Sequence, residues 1–205
     1  MDIRDIIRHK QKPGGGWPYT GPKGPENRYI TSDSLHLGPV KFASDDLGQF
    51  LENYMKGTES LKIPIKNFLS SEHVDTTMLD SLLDNISNTV FATYSDVGKY
   101  QYNDEGEEKK LQGKFNPFDP EANPEISNGK DTVFVHNKLF RNNLFKTLFH
   151  ELMHKYATHE EDYEEDRPVY EEFEKEIIKP LTVGDRSNII KLLYPDGFQQ
   201  KTLSP

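Results

Sequence analysis

Two histidines and a glutamate, His150, Glu151 and His154, form a His-Glu-x-x-His pattern in the second half of the chain. A spacing of four residues is about one helical turn, so both imidazoles project from the same side of a helix. Apolar residues recur at spacings of three and four around the pattern, which predicts that this helix packs in the core. These residues are Leu144, Phe145, Leu148, Leu152 and Tyr156.

The residue types in this pattern point to a zinc site. Two neutral imidazoles at this spacing can bind one Zn²⁺ and leave positions open for water and a substrate. Glu151 lies beside them, where it can take a proton from a metal-bound water. We therefore predict His150 and His154 as metal ligands and Glu151 as the catalytic base. The alternative is a chance occurrence of the pattern on a surface helix.

The residues before the helix strengthen the zinc interpretation. Residues 132–136, Thr-Val-Phe-Val-His, are typical of a buried strand. A strand, a short connection and a buried His-Glu-x-x-His helix resemble the zinc peptidases of the zincin group. That resemblance implies a zincin-like α+β fold, in which a small, mostly antiparallel sheet packs against helices that include the zinc-binding helix. The strand at 132–136 is also our candidate for holding an extended substrate by edge pairing.

Further patterns predict the remaining secondary structure. Apolar stripes predict helices over 44–57 and 75–86, whereas 61–69 is ambiguous. Strands are predicted at 89–94, at 99–102 as the returning strand of a hairpin, and within 109–115. A helix over 167–179 would have Pro168 in its first turn and Asp166 as N-cap, and a last helix would begin at Asp185.

Length and composition favour one domain over residues 1–205, with a flexible Gly/Pro-rich arm at 1–30 and the strand, zinc helix and acidic helix within 131–180. The absence of cysteine excludes disulfides and thiolate zinc sites. No apolar run reaches the ~18 residues of a membrane span, and the first residues do not resemble a signal peptide. We expect a cytoplasmic protein, or one secreted by a route without a cleaved signal peptide.

The negative charge is concentrated directly after the zinc helix. Residues 160–176 carry ten acidic residues against Arg167 and Lys175, which is −8 of the chain's net −9. This argues against nucleic acid as a partner, because phosphate binding needs a basic patch. The run would suit a substrate with a basic segment, or it is a solvated helix face.

A third zinc ligand is expected, because catalytic zinc sites usually have three protein ligands. Glu174 has the common glutamate-type spacing from His154, twenty residues, but falls at the margin of the inner face of its helix. His159 does not fit the extended motif with a third histidine, so we interpret it as a surface residue. Asp162 resembles the short-spaced aspartate ligand of aspartate-type zincins, and Asp166 has the competing role of N-cap.

The segment 164–169, Glu-Glu-Asp-Arg-Pro-Val, resembles the Glu-Glu-x-Arg-small-Val element that follows the zinc helix in bacterial effector and toxin metallopeptidases. Pro168 replaces the usual small residue. The resemblance covers about 136–180 and implies Glu165 as the third ligand, ahead of Asp162. It also implies a secreted effector or toxin protease that acts on a host or rival protein.

These observations predict a zinc-dependent endopeptidase acting on a protein substrate. A tyrosine is expected to stabilise the oxyanion, and the candidates are Tyr163, Tyr170 and Tyr194. One alternative is a zinc hydrolase of a non-peptide amide, such as a cell-wall or acyl-amide bond. Another is a non-catalytic binding module that zinc stabilises, although the presence of Glu151 favours catalysis.

Overall fold

The computed structural model describes residues 40–94, 101–102, 108–109, 112–117, 130–139, 141–157 and 163–197. At 101–102, 108–109 and 163–167 it describes the backbone only. The predicted arm at 1–30 lies outside the described residues, as does most of the loop before the strand at 132–136.

The described residues form an α+β structure. Its helices are α1 (Asp46–Gly57), α2 (Glu59–Ser71), α3 (Leu79–Leu83), α4 (Arg141–Met153), α5 (Tyr163–Ile178) and α6 (Val183–Leu193). Its strands are β1 (Val40–Phe42), β2 (Val90–Tyr94), β3 (Gln101–Tyr102), β4 (Glu108–Lys109), β5 (Gly113–Asn116) and β6 (Thr132–His136). No helix among the described residues is both long and apolar enough to cross a bilayer.

Four strands form a mixed sheet in the order β1-β2-β6-β5. β1 is antiparallel to β2, β2 is parallel to β6, and β5 is antiparallel to β6. The strand at 132–136 is therefore interior, and the prediction that it holds a substrate by edge pairing is wrong. The edge on this side of the sheet belongs to β5, which among the described residues pairs only with β6.

The hairpin predicted for 89–94 and 99–102 is also wrong. β3 pairs with β4 in a separate two-stranded sheet, whereas the neighbours of β2 are β1 and β6. Because β1 and β6 pair with the two sides of β2, a strand at 99–102 has no free side of β2 with which to form a hairpin. Alternating apolar residues identified the strands, but they did not reveal which strands pair.

Local sequence signals predicted some of the helix boundaries correctly and missed others. α1 occupies the predicted range, and α2 runs through the ambiguous 61–69 with Pro64 inside it. The helix predicted over 75–86 is broken into short 3₁₀ turns on either side of α3. α6 begins earlier than predicted, because Thr182 is its N-cap and Asp185 completes a capping box.

α5 begins at Tyr163, four residues earlier than predicted. Pro168 therefore lies inside the helix and not in its first turn, and the prediction that Asp166 is the N-cap is wrong. The acidic residues before Pro168 suit a helical first turn, because the helix dipole favours negative charge there. Pro168 was expected to mark the first turn of this helix, and it does not.

α4 is buried between the sheet and α5. Leu148, Phe149 and Leu152 are completely buried on α4, and Val133 and Val135 of β6 lie in the same core. Each such side chain contributes about 1.5–3 kcal/mol on burial. This packing fixes the rotation of α4 about its axis, and with it the direction in which the polar residues of α4 project.

Aromatic contacts hold α5 against the remaining helices. Phe68 of α2 stacks on Phe173 with ring centroids 4.3 Å apart and contacts Tyr170 edge-on at 5.0 Å. The Tyr54 hydroxyl of α1 donates to the carbonyl of Ile177 at 2.8 Å. α5 is thereby held beside α4, with Glu174 on the side that faces the histidines.

Candidate metal centre

The histidines of the pattern lie at the carboxyl end of α4. His150 and Glu151 are in the last turn, and His154 is the first residue beyond the helix. The N–H of His154 still donates to the carbonyl of His150 at 3.3 Å, so the helical turn continues through the second histidine. The two imidazoles consequently project in the same direction, as their spacing predicts.

The Nε2 atoms of His150 and His154 lie 3.1 Å apart, and the two rings are nearly perpendicular at 82°. Two nitrogens that each lie about 2.0–2.1 Å from one Zn²⁺ in a tetrahedral arrangement are themselves about 3.3–3.4 Å apart, a few tenths of an ångström more than the distance found here. The donor pair therefore fits a zinc ion. Among the described residues, no group of three or more His, Cys, Asp or Glu side chains is arranged to hold a metal ion.

Glu174 of α5 contacts the opposite edge of the His150 ring. Nδ1 of His150 donates to its Oε1 at 3.0 Å, and Lys146 Nζ lies 3.1 Å from its Oε2. Burial alone would raise the pKa of Glu174, but the hydrogen bonds from His150 and Lys146 outweigh it and lower that pKa. For His150, burial opposes the charged form, whereas Glu174 and the charge of Glu151 favour it, and its pKa is raised.

Glu151 projects toward β5 and not toward α5. A Cβ atom on Gly113 would lie 2.7 Å from Cγ of Glu151 and 2.4 Å from Cγ2 of Thr147, so strand and helix approach this closely only because residue 113 is glycine. The carboxylate of Glu151 accepts a hydrogen bond from the backbone N–H of Phe115. Glu151, the predicted base, is thus held against the edge strand of the sheet.

The surroundings of Glu151 oppose its ionisation. Burial raises the pKa of Glu151 from 4.5 to about 7, although the charges of His150 and Lys114 and the hydrogen bond from Phe115 act in the other direction. A pKa near neutrality suits a group that must both accept and return a proton. Lys114 lies on the same strand, and burial lowers its pKa to about 8.

The two predicted third ligands are not tested by the structure. Asp162 lies outside the described residues, as does His159, and for Glu165 only the backbone within α5 is described. Both remain predictions. Glu174, which sequence reasoning ranked lower, contacts a histidine of the pattern.

Of the tyrosines expected to stabilise an oxyanion, Tyr170 lies beside the histidines. Its ring centroid is 6.0 Å from that of His150, and its hydroxyl donates to the carboxylate of Glu72 at the end of α2. Tyr194 follows α6, and burial raises its pKa to about 12. The side chain of Tyr163 is outside the described residues.

Three groups near the histidines were missed by sequence reasoning: Lys146, Gly113 and the backbone N–H of Phe115. Lys146 is four residues before His150, so helical spacing placed it on the same side of α4. This spacing could have identified Lys146 from the sequence. Gly113 and Phe115 had no such signal, because their contacts with Glu151 depend on how β5 packs against α4.

No protein-family model matches this chain, and no curated protein or solved structure matches it either. The functional argument therefore depends on the geometry of the site and on the sequence pattern.

Proposed function

We propose that this protein is a zinc-dependent endopeptidase that hydrolyses peptide bonds in a protein substrate. The observation that carries the proposal is the pair of Nε2 atoms of His150 and His154, 3.1 Å apart, with Glu151 on the same turn. His150 and His154 would hold the ion through these atoms, with Asp162 or Glu165 as the proposed third ligand. When bound, zinc would polarise a carbonyl group and lower the pKa of a coordinated water.

Glu151 is the group that moves protons in this proposal. Its carboxylate would accept a proton from the attacking water and later return it to the leaving amine. A base with a pKa of about 7 releases the proton again more readily than an amine does. The hydrogen bond from Phe115 limits the directions in which the carboxylate can point, which reduces the entropy lost on reaching the reactive geometry.

The edge strand supports a peptide substrate over a small amide. His136 N–H donates to the carbonyl of Gln112 at 2.8 Å, so in the antiparallel ladder the backbone groups of Gly113 and Phe115 point away from β6. The N–H of Phe115 is already bonded to Glu151, so Gly113 is the residue of this edge proposed to pair with a substrate. An extended peptide can pair with such an edge through its main chain. Because Gly113 adjoins Glu151, a peptide paired there would pass beside the base.

The acidic run and the resemblance to effector and toxin metallopeptidases support a narrower proposal. Glu171 and Glu172 are exposed on α5, the helix whose Glu174 contacts His150. We propose a protein substrate with a basic segment, reached after delivery of this protein to a host or rival cell. This narrower part depends on the resemblance, and the endopeptidase proposal does not require it.

The experiment is a comparison of wild type with Glu151→Gln, each loaded with one equivalent of zinc and incubated with a diverse peptide mixture. Mass spectrometry of the products is expected to show internal cleavage by the wild type and at least a 100-fold slower rate in Glu151→Gln, with zinc still bound. Glu59→Gln, an exposed change on α2 outside the acidic run, is the matched control and should cleave normally. Intact peptides in every sample, despite bound zinc, would contradict the proposal.

A further inference from the structure

Both carboxylate oxygens of Glu174 are engaged with residues of α4. Oε1 lies 3.0 Å from Nδ1 of His150, and Oε2 lies 3.1 Å from Nζ of Lys146. The side chains of His150 and Glu174 are only 18% and 14% exposed, so little water competes for this contact. Lys146 and His150 are one helical turn apart, and Glu174 bridges them.

We propose that Glu174 is a positioning residue, which holds the His150 ring through Nδ1–H so that Nε2 faces the metal position, and that it is not itself a zinc ligand. This inference rests on the proposed function, since it assigns a role within the same site. It differs from what the spacing of twenty residues from His154 would indicate, which is direct ligation.

The argument begins with the shape of the imidazole ring. Nδ1 and Nε2 diverge, so a carboxylate bonded to Nδ1 of His150 lies on the far side of the ring from Nε2. Nε2 of His150 instead faces Nε2 of His154 at 3.1 Å. Oε1 of Glu174 therefore lies away from the position between the two Nε2 atoms where an ion would bind.

The hydrogen bond also selects the tautomer of His150. A carboxylate can only accept, so Nδ1 must carry a proton, and in the neutral ring Nε2 then presents its lone pair. Ligating histidines usually donate their second ring N–H to such a partner, which fixes the ring and makes the ligand nitrogen more basic. Glu174 fulfils these conditions without leaving its contact with α4.

Lys146 completes the arrangement by occupying the second oxygen. With Oε2 bound to Lys146, rotation of the carboxylate toward the metal position would break an ion pair as well as the bond to His150. The Lys146 side chain is 41% exposed, so water screens this ion pair and weakens it. The contact with His150 is the stronger restraint, and Lys146 supports it.

The test combines zinc affinity with the NMR signals of His150 in the metal-free protein. Zinc affinity is measured by competition with a chelator for wild type, Glu174→Ala, Glu174→Gln and His154→Ala. A positioning role predicts that Glu174→Ala still binds one zinc per chain, about 10–100-fold more weakly than wild type. His154→Ala should lose the site, and Glu172→Gln should match wild type.

The ring nitrogens of His150 give the second readout. In metal-free wild type, ¹⁵N spectra should show Nδ1 protonated and its proton protected from exchange, and Glu174→Ala should lose this protection. Glu174→Gln keeps an acceptor oxygen, so it should retain part of the protection of the Nδ1 proton. If Glu174→Ala does not fold, Glu174→Gln is the variant that tests the contact. Loss of zinc from Glu174→Ala as complete as in His154→Ala would identify Glu174 as a ligand and overturn the inference.

The two proposals fail in different ways. Unchanged affinity and an unchanged Nδ1 signal in Glu174→Ala would overturn the positioning role, whatever the protein hydrolyses. Bound zinc with no cleavage of any peptide would contradict the endopeptidase and leave the positioning role supported. If wild type binds no zinc, the metal-binding part of both proposals is overturned. If the Nδ1 proton of His150 is also unprotected in wild type, the inferred hydrogen bond to Glu174 is overturned as well.

Discussion

Glu151 is a buried carboxyl group at the centre of the proposed chemistry, and its surroundings make it costly to ionise. The folded protein raises its pKa from 4.5 to about 7. Functional groups held in such surroundings commonly reduce stability, because the site is arranged for reaction and not for folding. The same carboxyl group that suits proton transfer should therefore destabilise the metal-free protein near neutral pH.

The first prediction concerns Glu151→Gln and pH. Between pH 4.5 and about 7 the folded state binds more protons at Glu151 than the unfolded state does. The stability that this proton contributes is therefore complete below pH 4.5 and is lost as pH rises through 7. A rise in pKa from 4.5 to about 7 corresponds to a loss of stability of about 3 kcal/mol. Glutamine does not titrate, so at about pH 8 the variant should be the more stable protein by roughly this amount.

The difference is measured by urea unfolding in the presence of a chelator. It should shrink toward zero near pH 4.5, where wild type has regained its full contribution. Glu172→Gln serves as the control, because that side chain is exposed. If the stability difference between wild type and Glu151→Gln does not change with pH, then folding does not raise the pKa of Glu151.

At the scale of elements, the close approach of β5 and α4 determines where the Glu151 side chain lies. Gly113 and Thr147 meet at the point of contact, and Glu151 lies one turn beyond Thr147 on the helix. A strand with a larger residue at 113 would be pushed away from α4. The hydrogen bond from Phe115 to Glu151 would then lengthen or break.

The second prediction is that Gly113→Ala destabilises the protein and slows hydrolysis. The new Cβ would lie 2.4 Å from Cγ2 of Thr147, so strand or helix must shift, at a cost of about 1–3 kcal/mol. Adding Thr147→Ser removes that methyl group and should recover part of the stability. Hydrolysis should stay slow in the double variant, because the contact of 2.7 Å with Cγ of Glu151 remains.

Thermal unfolding and peptide cleavage are measured on the same preparations. Gly57→Ala is the matched control, because a Cβ there meets no atom within 4 Å. Full stability and full activity in Gly113→Ala would mean that β5 does not constrain Glu151.

At the scale of the molecule, a buried ion pair connects the residues that follow α4 to the start of the parallel strands β2 and β6. Nζ of Lys155 lies 3.1 Å from Oδ2 of Asp131 and donates to Oγ1 of Thr89 at 2.9 Å. The side chains of Lys155 and Asp131 are 5% and 8% exposed. Lys155 directly follows His154, so this contact also fixes the chain as it leaves the histidine pair.

The third prediction is that Lys155→Met destabilises the protein by about 3–5 kcal/mol, because it leaves the Asp131 carboxylate buried without its cation. Removing both charges in Lys155→Met/Asp131→Asn should cost less than the sum of the two single changes. Urea unfolding of the four proteins measures the coupling. Lys138→Met, an exposed lysine, should change little; strictly additive losses would show that the pair does not act as a unit.

Local spacing in the sequence was enough to predict where several helices and strands lie and that two imidazoles share one side of a helix. The His-Glu-x-x-His pattern placed two imidazoles on one side of a helix, and apolar periodicity located α1, α4, β2 and β6. These features depend on residues a few positions apart, whose relation is set by backbone geometry alone. The α+β class followed from the same elements.

The tertiary structure alone decided which groups meet at the site. Strand order made β5 the edge and β6 the interior strand, and helix packing brought Glu174 to Nδ1 of His150 across a separation of 24 residues. Gly113 reaches Glu151 only because β5 lies against α4. Such contacts depend on the rotation and separation of whole elements, which the buried side chains of several segments set together, so no local pattern in the sequence specifies them.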